Sequence, residues 1–174
     1  MPAGEYVSAF ASIILALAVT DLAMSMHRLL RARKRVRWDW LVLAVALLIL
    51  LGTVQYWWML FDIWNFSGRF RLSGFLPYFV TLLLLFFVAC AALPDEVPAK
   101  GLDLEDYYFE NRTYFWSLFA LLAVSTTAST VILRAPTGPI EIARWVLLGG
   151  NVPLVVIAIV LIATRRRWVH AALI

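Results

Sequence analysis

The amino-acid sequence predicts an all-α integral-membrane bundle of five transmembrane helices, and three observations predict it. The 174 residues are 63% hydrophobic with a mean hydropathy of +0.85, where soluble domains are roughly half apolar. The apolar residues fall in five blocks, each close to the ~20 residues that a helix rising ~1.5 Å per residue needs to cross a ~30 Å hydrocarbon layer. Their hydrophobicity is continuous and not alternating, which excludes a transmembrane barrel.

The first block runs from Tyr6 to Leu30. No Lys or Arg precedes it and its charges follow it, the reverse of a cleavable secretory signal. The second block, Leu41 to Leu60, has Trp38 and Trp40 at one end and Trp57, Trp58 and Trp64 at the other, placed as interface anchors. The alternative use of Tyr56, Trp57 and Trp58 is to line a ligand site. After the third block, Phe75 to Leu93, the longest link opens with Pro94 and has a second turn signal in Pro98 to Gly101. Asp103, with Asp106 three residues on, resembles a helix N-cap with an acidic first turn. A helix is therefore expected from Leu104, lying along the membrane face or entering the fourth block, Thr113 to Leu133, directly. Its aromatics Tyr107, Tyr108, Phe109, Tyr114, Phe115 and Trp116 are expected at the inner interface. In the fifth block, Ile142 to Thr164, Pro153 leaves the Gly149 carbonyl without its helical donor, so a kink is expected beside Gly150. Trp145 and Trp168 flank this block. The links are short, so residues 1–174 form a single membrane domain.

Orientation follows from the basic residues. Arg28, Arg31, Arg33, Lys34, Arg35, Arg37, Arg69, Arg71, Lys100, Arg112, Arg134, Arg144 and Arg165 to Arg167 divide 11 to 4 between alternate sides. The positive-inside rule then puts the amino terminus outside and the carboxyl terminus in the cytoplasm. Arginine outnumbers lysine and alanine and leucine are abundant, a composition pointing to a GC-rich bacterial source and hence an inner membrane.

The third link is acidic, with Asp95, Glu96, Asp103, Glu105, Asp106 and Glu110 on the side of the basic first link and the basic tail. Two readings stand: the charges pair and hold loops together at ~0–1 kcal/mol each, or Arg31, Arg33, Lys34, Arg35 and Arg37 bind anionic lipid headgroups at ~1 kcal/mol each. Nucleic acid is not expected as a partner, because the cluster lies at the bilayer and lacks a reading module.

Within the spans Asp21 stands out, since a charge at the bilayer centre costs ~2.5–3.5 kcal/mol. Ser25 and Arg28 share its helical face, and it lies ~10 Å from the inner end of its helix. It is either a structural hydrogen-bond acceptor paired with a snorkelling Arg28 or a proton or cation site opening to the cytoplasm. Glu5 and Asp62 belong to the outer interface. Neither His27 nor His170 lies well inside a span and no second pair exists, so no haem ligation and no cofactor is expected. Cys90 is the only cysteine, which excludes an intrachain disulfide or a cysteine-based metal cluster and suits a buried apolar thiol.

Aligning the helices by depth gives a second candidate site. Ser125, Thr126, Ser129 and Thr130 form one face of the fourth helix, level with Gln55, Tyr78, Thr81, Asn151 and Ser12 in an outer polar layer. Its residues serve either as packing glue at ~0.6 kcal/mol per hydrogen bond or as the lining of a polar cavity open to the periplasmic side.

The chain holds no HExxH, GxSxG, phosphate-binding glycine loop or cysteine-histidine pair, so no catalytic or metal residues are assigned and an enzyme is not expected. Internal repeats are not visible. Five helices and eight tryptophans match the outline of the tryptophan-rich sensory proteins, but the basic run Arg31 to Arg37 replaces that family's proline-tryptophan first loop. Through Arg28 to Leu30, Arg35 to Trp38, Gln55 to Trp58 and Leu104 to Phe115, the chain resembles a group of small uncharacterised bacterial multi-pass membrane proteins, which brings no activity with it. The expected role is a non-enzymatic interaction or accessory component, with lipids, other membrane subunits or a second copy as partners. The alternative is a binder or transporter of a small solute, ion or lipid, using the outer polar layer and Asp21.

Overall fold

The computed structural model describes residues 3–66, 72–134 and 151–174, with side chains over 6–60, 75–129 and 151–174. Six α-helices run through these residues: α1 Ala3–Arg31, α2 Trp40–Phe66, α3 Leu72–Ala92, α4 Leu104–Arg134, α5 Val152–Ala163 and α6 Arg167–Leu173. Three are long and apolar enough to cross a membrane, over Tyr6–Arg31, Trp40–Leu60 and Phe75–Ala92, which points to a membrane protein. Their outward faces are apolar as well: Leu17 on α1, Leu47, Leu48 and Leu51 on α2, and Leu76 and Val80 on α3 are exposed. A bilayer accommodates such faces, whereas water would drive them together.

Helix α4 is a single unit of 31 residues, so the segment from Leu104 enters the bundle directly and does not lie along the surface. Leu104, Tyr108 and Phe115 form one helical stripe and, with Trp116, are buried; of the expected interfacial aromatics only Tyr114 is exposed. Helix α5 begins at Val152 and puts Pro153 in its first turn. There the missing amide costs no intrahelical bond, so within the described helix Pro153 starts a segment and kinks nothing. The expected start of this span at Ile142, with Trp145, Gly149 and Gly150, lies outside the described residues. So do the side chains of Glu5, Asp62, Trp64 and Thr130. Tail helix α6 has no counterpart among the expected elements.

Helix α3 packs on α1 and α4, α4 on α5, and α1 on α2. The larger core joins Leu22 and Leu29 of α1, Leu41, Val45 and Ile49 of α2, Val88 of α3, Tyr108 and Trp116 of α4 and Leu161 of α5. A smaller core of Ala11, Leu15, Leu60, Tyr78 and Leu82 closes the other end.

The links meet at one end. After a 3-10 turn at Arg33–Arg35, β1 (Val36–Arg37) pairs in parallel with β2 (Leu102–Asp103), Val36 opposite Leu102 and Arg37 opposite Asp103. The first and third links therefore share an end of the bundle, as alternating passes require. Gly101 makes that approach possible. Its φ is +95°, and a Cβ there would lie 2.8 Å from the Arg35 carbonyl oxygen, so only glycine fits both the backbone and the space.

Candidate functional site

At the end away from the paired links, the polar side chains bond to one another across helices. The Thr81 hydroxyl of α3 lies 2.7 Å from Ser125 Oγ and 3.3 Å from Ser129 Oγ of α4. Thr81 is fully buried, Ser129 nearly so, and Tyr56 of α2 reaches Thr81 from the third side. Asn151, at the start of α5, bonds α4: its amide nitrogen donates to Thr127 Oγ1 at 3.1 Å, and its side-chain amide donates to Thr126 Oγ1 and the Ala123 carbonyl. Of the candidate residues, Ser125 and Ser129 thus meet α3 and Asn151 meets Thr126 and Thr127, two groups along α4. Gln55 lies on the exposed side of α2, away from both groups. The adjacent Tyr56 and the buried Thr53, whose hydroxyl returns to the Ile49 carbonyl at 2.8 Å, take the inward positions. One residue of register, about 100° of helical rotation, separates the two faces.

The linked end is a charged clamp. Asp103 Oδ1 caps α4 by accepting from the amides of Glu105 at 2.9 Å and Asp106 at 3.4 Å, while its Oδ2 takes Arg37 Nη1 at 2.7 Å. Asp39 caps α2 in the same way, accepting from the Leu41 amide at 2.8 Å, and its other oxygen takes Arg167. Arg167 also donates to Glu105 at 2.9 Å, so one guanidinium ties the tail to the starts of α2 and α4. Asp39 is 6% exposed, which makes this cation the neutraliser of a buried carboxylate and not a surface ornament.

Beneath the clamp runs a buried hydrogen-bond chain. His170 Nε2 lies 2.9 Å from the Thr164 carbonyl, which can only accept, so this nitrogen carries the proton. Nδ1 of the neutral ring is then an acceptor, and the Tyr108 hydroxyl 2.7 Å away donates to it. Trp116 Nε1–H in turn donates to the Tyr108 oxygen at 3.0 Å. Every donor points the same way along the chain. Burial holds the His170 pKa below its usual value; the Thr164 bond opposes this and the Arg112 charge adds to it. With both nitrogens bonded inside the protein, His170 has none free for iron.

Asp21 opens on a third feature, a cleft of about 830 Å³ lined by Asp21, Arg28, Arg31, Arg35, Asp95 and Glu96. Arg28 spans its wall, donating to the Asp95 carbonyl at 2.9 Å with Asp95 Oδ1 3.7 Å away, and Ser25 Oγ sits 3.5 Å from the same carboxylate. Arg28 is thus spent on Asp95 and not on Asp21. The half-buried Cys90 thiol lies beside Asp21, whose Oδ2 is buried without a hydrogen-bond partner among the described residues. Of the lipid-headgroup candidates, Arg37 is taken by Asp103. Arg31, Arg33, Lys34 and Arg35 are exposed and form no ion pair with a described residue.

Sequence reasoning missed Asp39 and the His170 chain. An Asp between Trp38 and Trp40, just before an apolar run, is an N-cap signal; no local pattern links residues 108 and 170. No protein-family model, curated protein or solved structure matches this chain.

Proposed function

We propose that this is a five-span protein of the bacterial inner membrane, amino terminus outside and linked end in the cytoplasm, acting as a non-enzymatic interaction or accessory component. One observation carries the reading: at the end away from the links, polar side chains bond to one another across helices, as in packing glue, from Thr81 to Ser125 and Ser129 and from Asn151 to Thr126. Exposed apolar faces on α2 and α3 supply contact surface for lipid, a second copy or another membrane subunit. Native mass spectrometry of detergent-extracted protein is the test. A defined complex with a second membrane chain or copy is expected; a lone monomer that moves a solute across vesicles would overturn the reading. In a Cys90→Ala background, Lys34→Cys should react only with reagent reaching the cytoplasmic side.

A second reading, a binder of a small charged ligand at Asp21, is favoured by the cleft at the linked end.

A further inference from the structure

We infer that this cleft is a binding site for a zwitterionic phosphate–ammonium group, the headgroup of an aminophospholipid such as phosphatidylethanolamine. The inference rests on the second reading above and gives its ligand a chemistry.

Charge balance in the cleft favours a ligand carrying both signs. Three arginines and three carboxylates line the cleft, and Arg28 and Asp95 satisfy each other. Two cations, Arg31 and Arg35, and two anions, Asp21 and Glu96, remain without an ion pair to a described residue. A simple anion would answer the arginines but face Asp21 and Glu96. A simple cation would meet the converse conflict. A molecule carrying both charges answers each pole: its phosphate takes the exposed guanidiniums, which offer forked donors to phosphate oxygens, and its ammonium takes the exposed Glu96 carboxylate, with the Asp21 charge behind it in the cleft wall. The volume lies within the ~300–1,000 Å³ typical of small-molecule sites. Its position favours lipid, because Asp21 belongs to the apolar span Tyr6–Arg31 while Arg31 ends that span. The cleft therefore straddles the depth at which headgroups lie.

The test uses the full-length protein in detergent, challenged with phosphatidylethanolamine, phosphatidylglycerol or phosphatidylcholine and read by native mass spectrometry. Phosphatidylethanolamine should be retained in preference to both others, since the first competitor lacks the ammonium and the second cannot donate N–H bonds. Asp21→Asn and the exposed Glu96→Gln should each cut that preference about fivefold or more, a coupling of roughly 1 kcal/mol. Arg31→Gln with Arg35→Gln should weaken retention of every phospholipid, and Arg33→Gln with Lys34→Gln should leave the preference unchanged. Because Glu96 is exposed, its variant keeps the test decisive if Asp21→Asn misfolds. Equal retention of phosphatidylglycerol, insensitive to both acidic variants, would reduce the cleft to a basic patch and overturn the inference. Free phosphoethanolamine binding as tightly as the lipid, with the same dependence on Glu96, would sustain the zwitterion site and make its ligand a soluble one. Ethanolamine alone binding equally well would overturn the zwitterion but leave a cation binder at Asp21; retention of no probe would sink both.

Discussion

Replacing Tyr108 by Phe removes one oxygen and tests the whole buried chain between α4 and the tail. Ring volume is kept, so no large cavity opens. What is lost is the acceptor for Trp116 Nε1–H at 3.0 Å and the donor to His170 Nδ1 at 2.7 Å, in side chains 5% and 0% exposed. A buried polar group left unsatisfied costs about 1–3 kcal/mol, and here two are left. Relief from burying the tyrosine hydroxyl offsets part of this, so about 2 kcal/mol against docking of α6 is the expected net, close to thirtyfold in its opening equilibrium. Hydrogen exchange of the α6 amides in detergent or nanodiscs reads that opening directly. The double variant Tyr108→Phe with His170→Leu should cost less than the sum of the single changes, since the pair acts as a unit. Exchange within twofold of the parent, in protein with intact helicity, would refute the assigned chain and its tautomer.

Four further outcomes follow from the same contacts. The folded-state pKa of His170 is depressed, so the unfolded or undocked tail binds more protons; docking should be full above about pH 6.5 and weaken as pH falls below it, measurable as faster exchange in α6. Arg167→Ala should destabilise by about 1–3 kcal/mol, at the low end because the guanidinium is half exposed, whereas Asp39→Asn should be milder than Asp39→Ala because the amide oxygen still caps Leu41; thermal melts in detergent compare them. Gly101→Ala should cost about 1–3 kcal/mol from its positive φ and its contact with the Arg35 carbonyl, and should show as increased proteolysis of the third link. Thr81→Val should lose about 1 kcal/mol, more than Gln55→Leu on the exposed side of α2, by the same melts.

What was legible in the sequence was whatever rests on local pattern. Apolar runs located α1 to α3 to within a few residues at most ends, and Asp103 with Asp106 marked the cap of α4. Depth counting brought Ser125, Ser129 and Asn151 to one layer, but it fixes height and not rotation, which is why Gln55 was carried inward with them. The burial of Tyr108, Phe115 and Trp116 is illegible for a related reason: an interfacial aromatic and a core aromatic look alike until the neighbour is known, and the neighbour of Tyr108 is a histidine 62 residues away. Asp21 was legible as an anomaly, but its surroundings were not, since Arg28, the expected partner, turns to Asp95.

The basic residues near the linked end fall into two groups, because different arginines meet different surroundings. Arg28, Arg37 and Arg167 each meet a carboxylate from a distant segment, and the links joined this way are those that alternating spans bring to one side. Arg37 with Asp103 is exposed and contributes ~0–1 kcal/mol. Arg167 contributes more, because it neutralises the buried Asp39. Among the described residues these pairs leave Arg31, Arg33, Lys34 and Arg35 without an ion pair; under the proposed topology each would meet an anionic membrane surface, a contact worth ~1 kcal/mol. Had the acidic third link existed only to cancel the basic first link, Asp95 and Glu96 would face Arg31 and Arg35 as partners. Instead Asp95 takes Arg28 deeper in the wall, and the cleft between the unmatched charges stays open.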